Sequence, residues 1–145
     1  MSYLERLFKF ATVGALGTVV NEGVFVLSSE FFPIALSLGL AIEASLIFNF
    51  ILNDMWTFRD KRNGSYLKRL IKFHGSSYLG NVIQYLTTII LLIYFLHIPS
   101  VCQGLYTLFL DKYGQPTVTL LFTNFLGIIV GFLVRFFTSL KYVWA

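Results

Sequence analysis

Four apolar runs, at about Phe8 to Phe32, Ile34 to Asn53, Phe73 to Ile98 and Pro116 to Val134, occupy most of the chain. A helix needs about 20 mainly apolar residues to cross the hydrocarbon core of a bilayer, and each run meets that length. Their apolar residues are continuous, without the in-out alternation of a barrel strand, so the spans are helices. Hydrophobic residues make up 57% of the 145 positions and Asp, Glu, Lys and Arg 12%, about half the charged share of a soluble domain. A globule this small leaves much of its side-chain surface exposed, so 16 Phe and 8 Tyr require a second apolar solvent. The chain therefore reads as an all-α membrane protein, a single four-helix transmembrane domain over residues 1–145. The first run is longer than the core of a cleavable signal and no small-residue cleavage site follows it, so it is expected to stay as a span.

Pro33 directly after the first run predicts a tight first hairpin. The second hairpin is looser: Val101 to Leu110 is apolar but too short to span, and reads as an interfacial or re-entrant helix. Charge sets the orientation. Arg6, Lys9, Arg59, Lys61, Arg62, Lys68, Arg69, Lys72, Arg135 and Lys141 fall on one side of the spans and Lys112 alone on the other. The positive-inside rule then puts both termini and the middle loop in the cytoplasm. The same rule explains the net charge of +4 without a nucleic-acid partner.

The chain repeats itself. Arg6-Leu7-Phe8-Lys9-Phe10 opens the first span and Arg69-Leu70-Ile71-Lys72-Phe73 opens the third. The second span ends Asn49-Phe50-Ile51-Leu52-Asn53-Asp54-Met55-Trp56-Thr57-Phe58, echoed by the stretch from Arg135 to Trp144. Two hairpins, about 6–58 and about 69–144, joined by a basic loop at about 54–72, are thus expected as parallel repeats about an axis along the membrane normal. Repeated halves are a common transporter plan with the site at their interface, although duplication alone explains them equally well.

Polar residues within spans are costly and mark candidate sites. Asn21, Glu43, Gln84 and Asn124 each lie 11 residues from Phe10, Asp54, Phe73 and Arg135 respectively, which at 1.5 Å per residue is roughly 16 Å below the boundary, mid-bilayer. Glu22 should be level with Glu43. The carboxamides alone are explained as well by hydrogen bonding between helices. Two carboxylates must be wet, paired or protonated, and no Lys or Arg shares their depth. A hydrated cleft between the halves, lined by Glu22 and Glu43, or a pair of protonated acids, is expected.

A second tier sits at headgroup level: Asn49, Asn53, Trp56, Arg135, Ser139, Lys141 and Tyr142, with Arg6, Lys9, Arg69 and Lys72. Trp, Tyr and Lys there also serve as plain interfacial anchors. Arg135, between Val134 and Phe136, suits a lipid phosphate that its planar fork grips through two hydrogen bonds. Gly127 and Gly131 form a Gly-x-x-x-Gly pair that fits either a homodimer or tight contact between the halves. His74 and His97 are too far apart to share a metal, and no catalytic constellation, nucleotide loop or cofactor motif is present. Cys102, the only cysteine, is read as inert packing.

In Phe8-x-Phe10-x-x-Val13-Gly14, in Asn49-Phe50-x-x-Asn53-x-x-Trp56-Thr57-Phe58 and in Ser139-x-Lys141-Tyr142-Val143-Trp144, the whole chain resembles the GtrA-like family. The resemblance implies movement of polyprenyl-phosphate-linked sugars across the cell membrane, toward the outer leaflet, with a membrane glycosyltransferase as partner. It also implies that Asn49, Asn53, Trp56, Ser139 and Lys141 lie at the cytoplasmic mouth. Asp54 stands where the family often has a basic residue, which shifts the expected phosphate ligands to Arg135 and Lys141. The combined expectation is a multi-pass flippase rather than an enzyme: a phosphate tier of cations, and a hydroxyl tier of Asn21, Glu22, Glu43, Gln84 and Asn124. The competing readings are a non-transporting anchor of a glycosyltransferase and, last because of the ten-to-one charge bias, a small multidrug exporter.

Overall fold

The computed structural model describes residues 1–110 and 116–142, the side chains of residue 3 and of residues 136–142 excepted. The described residues are helical: α1 (Tyr3–Ser29), α2 (Ile34–Leu52), α3 (Tyr66–Phe95), α4 (Val101–Leu110) and α5 (Thr117–Tyr142). Four of them are long and apolar enough to cross a membrane, and α4 is not. The expected all-α architecture with four spans is what the chain adopts. Span boundaries move outward at the basic ends, where α1 begins at Tyr3 and α3 at Tyr66. Serines account for both starts: the Ser2 hydroxyl accepts from the Glu5 amide and the Ser65 hydroxyl from the Lys68 amide, so each helix is capped upstream of its apolar run.

Pro33 caps α2 and its fixed φ ends any continuation of α1, so the first hairpin turns within Glu30 to Pro33. α2 does not stop cleanly. A π-helical turn, Asn53–Thr57, extends it, and a 3-10 turn, Arg59–Lys61, follows. Asp54 in the π turn is buried and holds Arg69 through Nε at 2.6 Å and Nη2 at 3.1 Å, which ties the end of α2 to the start of α3.

α1 pairs with α2 and α3 with α5, and the two hairpins meet along α1–α5 and α2–α3 seams. In the second hairpin the backbones nearly touch. A methyl on Gly131 would lie 2.7 Å from the Gly80 carbonyl, and one on Gly127 would lie 2.9 Å from that of Gln84. The Gly-x-x-x-Gly pair is therefore used inside the second hairpin, neither between the halves nor on an outer face. The first hairpin has one counterpart, Gly17, which leaves room for the Asn49 side chain.

Burial is uneven along the bundle axis. At the end opposite Arg6 and Arg135, Phe25 of α1, Leu38 and Ile42 of α2, Leu92 of α3, Leu108 of α4 and Leu120 of α5 form one dry cluster. Large apolar residues such as Val19, Leu27, Leu86, Ile90 and Phe122 point outward, as they should where lipid rather than water surrounds the helices. Cys102 is exposed on α4 rather than packed. Lys112 lies outside the described residues.

Candidate functional site

A cavity of about 400 Å³ lies between the hairpins in the half of the bundle that carries the basic residues. Its existence follows from a polar stripe at helical spacing on three helices. Ser45 and Asn49 follow one face of α2 and Asn53 continues it into the π turn, Ser77, Asn81, Gln84 and Thr88 follow one face of α3, and Thr18 and Asn21 one face of α1. Small residues such as Gly14, Ala15 and Gly17 also line the space, and Phe10, Phe73, Phe125 and Phe132 bound the rest of it.

The floor is a chain of side-chain hydrogen bonds through all four spans. Gln84 Nε2 donates to Asn124 Oδ1 (3.3 Å), Asn124 Nδ2 to Asn21 Oδ1 (2.8 Å), and Asn21 Nδ2 to the Ser45 hydroxyl (3.1 Å), which donates to the Ile42 carbonyl (3.0 Å). All four residues are buried. Asn21, Gln84 and Asn124, expected at one depth from their sequence positions, meet here, and Ser45 completes the set. Buried carboxamides need such partners because an unmatched one loses its water without replacement.

The mouth carries two arginines, one from each hairpin. Arg6 is 8% exposed, donates to Asp60 at 2.8 Å and lies over the Phe58 ring, 5.7 Å from its centre. Arg135 donates from Nη1 to Asn81 Oδ1 at 2.6 Å and lies against Gly80, which has no Cβ to displace it. Near this end Oδ1 of Asn49, Oδ1 of Asn53 and the hydroxyl of Thr57 are shielded without a hydrogen-bond partner among the described residues, as are both carboxylate oxygens of Glu22 on the outer flank. Asn49 and Asn53 line the cavity wall.

Several expected site residues are elsewhere. Glu43 is exposed on the α2–α3 flank, where its carboxylate meets Nε2 of His74 at 2.7 Å. Glu22 lies on the opposite flank, in a shallow apolar depression between α1 and α5 with Val26 and Leu121. Neither carboxylate lines the cavity. The reason is angular: one residue further round a helix turns a side chain by about 100°, so Glu22 leaves the face that Asn21 holds. Lys9 pairs with Glu5 at 3.2 Å and its ammonium lies over Trp56, outside the cavity. Arg69 is held by Asp54, and Lys72 is exposed away from the lining. The Ser139 and Lys141 side chains lie outside the described residues. Among the cations named from sequence, Arg6 and Arg135 are those brought to the described lining. Asn81, Ser45 and Asp60 were missed, and the polar stripes of α2 and α3 carry the first two.

Residues 9–144 match the family described as the GtrA/DPMS transmembrane domain. This chain belongs to that family. It is also 32% identical over 143 residues to a protein of Pyrococcus furiosus named dolichol-phosphate mannosyltransferase, with 98% of this chain and 34% of that protein covered. The chain thus spans about a third of the length of that relative. Membership, together with four helices of spanning length, makes it a multi-pass integral membrane protein of the GtrA/DPMS type. No group of three His, Cys, Asp or Glu side chains that could hold a metal occurs among the described residues.

Proposed function

We propose that the cavity receives the phosphate-linked sugar headgroup of a polyprenyl lipid and that the chain carries that headgroup between the leaflets of the cell membrane, as a carrier rather than a catalyst. The observation that carries the reading is the cavity itself: a space of about 400 Å³, within the roughly 300–1,000 Å³ range of small-ligand sites, mostly apolar in its wall, with carboxamides and hydroxyls set among the apolar side chains and two arginines at its edge. A sugar leaving water needs mixed donors and acceptors, and a phosphate needs a cation with a planar fork. The cavity offers the first along its wall and the second at its mouth, through Arg135 with Arg6, and with Lys141 from the sequence. The relative named for dolichol-phosphate mannose transfer supports the same class of lipid.

The charge bias orients the mouth toward the cytoplasm. The polyprenyl tail stays in the acyl region, while the headgroup rests on the Asn21–Asn124 floor. The far end is closed by the Leu38–Leu92–Leu120 cluster, so release on the other side requires a second arrangement of the hairpins. Movement is downhill, drawn by use of the lipid-linked sugar outside. In proteoliposomes, Arg135→Ala lowers the rate of scrambling of a labelled polyprenyl-phosphate sugar at least about tenfold, the weight of one charge-assisted hydrogen bond. An unchanged rate overturns the phosphate assignment.

A second reading is favoured by one observation: the Pyrococcus relative is about three times as long as this chain. On that reading the chain anchors or organises a separate membrane glycosyltransferase without transporting anything. Co-purification of such an enzyme, with scrambling at the rate of empty liposomes, supports it over the carrier.

A further inference from the structure

The ion pair between Arg6 and Asp60 is lopsided. The Arg6 side chain is 9% exposed and the Asp60 side chain 48%. Arg6 cannot lose its counter-ion cheaply, since a guanidinium left alone in a shielded site has neither water nor an anion. Asp60 can: on leaving it regains water, in a 3-10 turn between Arg59 and Lys61. The contact is also incomplete. Asp60 engages Nη2, while Nε of the same guanidinium is shielded and has no acceptor among the described residues. A tetrahedral anion approaching from the cavity would take Nε and Nη2 together, the paired geometry that makes arginine–phosphate contacts strong.

The surroundings narrow the ligand. Oδ1 of Asn49 and Oδ1 of Asn53 are unmet acceptors in the same wall. An acceptor repels a bare phosphate oxygen and calls for a donor. The fit is an anion that carries hydroxyl groups a few ångströms from its charge, as a sugar phosphodiester does.

We propose that Asp60 is a built-in competitor for the anion site at Arg6: an incoming phosphodiester takes the guanidinium from Asp60, and the Arg59–Lys61 turn leaves the mouth as it does so. The proposal rests on the headgroup reading above and adds to it an internal carboxylate that the ligand must displace from Arg6.

The test uses the full chain in lipid nanodiscs, with a labelled short-chain polyprenyl phosphate and, separately, inorganic phosphate as probes. Asp60→Asn is expected to bind the lipid phosphate up to roughly fivefold more tightly, the weight of a half-exposed ion pair. Arg6→Gln should bind it more weakly, and Asp60→Asn should give no gain in that background. A gain for both probes supports a general phosphate site, and a gain for the lipid alone supports a headgroup site. No gain from Asp60→Asn, a gain that survives Arg6→Gln, or a gain with inorganic phosphate alone overturns the proposal. Binding by the unaltered chain with loss in Arg135→Ala but no effect at Asp60 sinks this inference and spares the headgroup reading; no lipid binding by the folded, unaltered chain sinks both. A spin label at R59C in a C102S chain supplies a check that keeps Asp60 intact. Its mobility rises on addition of the lipid phosphate if the turn is released, and unchanged mobility overturns the release.

Discussion

Replacing Asn124 with Leu removes the central member of the buried hydrogen-bond chain while keeping its branching at Cγ, with a bulkier side chain in its place. Asn124 is fully buried and makes two contacts, donating to Asn21 across the α1–α5 seam and accepting from Gln84 within the second hairpin. Hydrogen bonds between membrane helices contribute about 0.6 kcal/mol on average and up to about 1.7 kcal/mol. The loss of two therefore gives about 1–3 kcal/mol, with the upper end set by Asn21 and Gln84 being left partly unmatched. Geometry divides the total: the contact to Asn21 is 2.8 Å and that to Gln84 is 3.3 Å, so the first is the larger share.

The assay is reversible unfolding in mixed micelles by titration with a denaturing detergent, followed by a distance probe between α1 and α5, because the helices themselves persist in detergent. A double-mutant cycle on Asn124 and Asn21 should return a coupling of about 0.6–1.7 kcal/mol, and one on Asn124 and Gln84 a smaller coupling. Should Asn124→Leu match the parent in stability, with zero coupling in both cycles, the hydrogen-bond chain is not what joins the hairpins and the cavity floor has been wrongly described.

The close approach of α3 and α5 predicts a contrast between glycines: Gly131→Ala puts a methyl against the Gly80 carbonyl and costs about 1–3 kcal/mol, whereas Gly23→Ala meets nothing within 4 Å and leaves detergent stability unchanged. The acidic residues give the opposite of what their rarity suggests. Glu43→Gln and Glu22→Gln should change lipid-phosphate binding less than about twofold, the range of substitutions away from a site, and a tenfold loss in either would return that carboxylate to the cavity.

The number and length of the helices were legible because the bilayer imposes them: a continuous apolar run of about 20 residues has few other folds open to it. The depth of Asn21, Gln84 and Asn124 was legible for a similar reason, since rise per residue is fixed and the basic boundary gives its origin. Azimuth was not. Depth alone put Glu22 and Glu43 in the same layer as the carboxamides, and the structure turns them to opposite flanks of the bundle. Those two acids therefore give no reason for a cleft, and the cavity between the hairpins is lined instead by Asn21, Ser45, Asn49, Asn81 and Gln84. Helical spacing on α2 and α3, taken with depth, would have chosen Ser45 and Asn81 and left Glu43 out. The fate of the cations was hidden for another reason: whether Arg69 or Arg6 faces the cavity depends on which acid each one meets, and Asp54 and Asp60 reach them only through the π and 3-10 turns after α2.

The two hairpins also diverge where chemistry would require it. In the register that aligns Arg69 with Arg6, Gly80 falls on Gly17, and in the register of the span ends, Arg135 falls on Asn49. The glycines have the same job in both hairpins, since each leaves room for the side chain opposite: Asn49 beside Gly17 and Arg135 beside Gly80. The side chains that use that room differ, one an unmet neutral acceptor and the other a cation held by Asn81. A symmetric pair of arginines would set two like charges across one narrow cavity, and a symmetric pair of asparagines would offer a phosphate no cation there. One of each sets a neutral carboxamide across from Arg135 at this level, while Arg6 supplies the first hairpin's cation at the mouth, so phosphate ligands and hydroxyl partners lie close together, as a sugar phosphodiester requires.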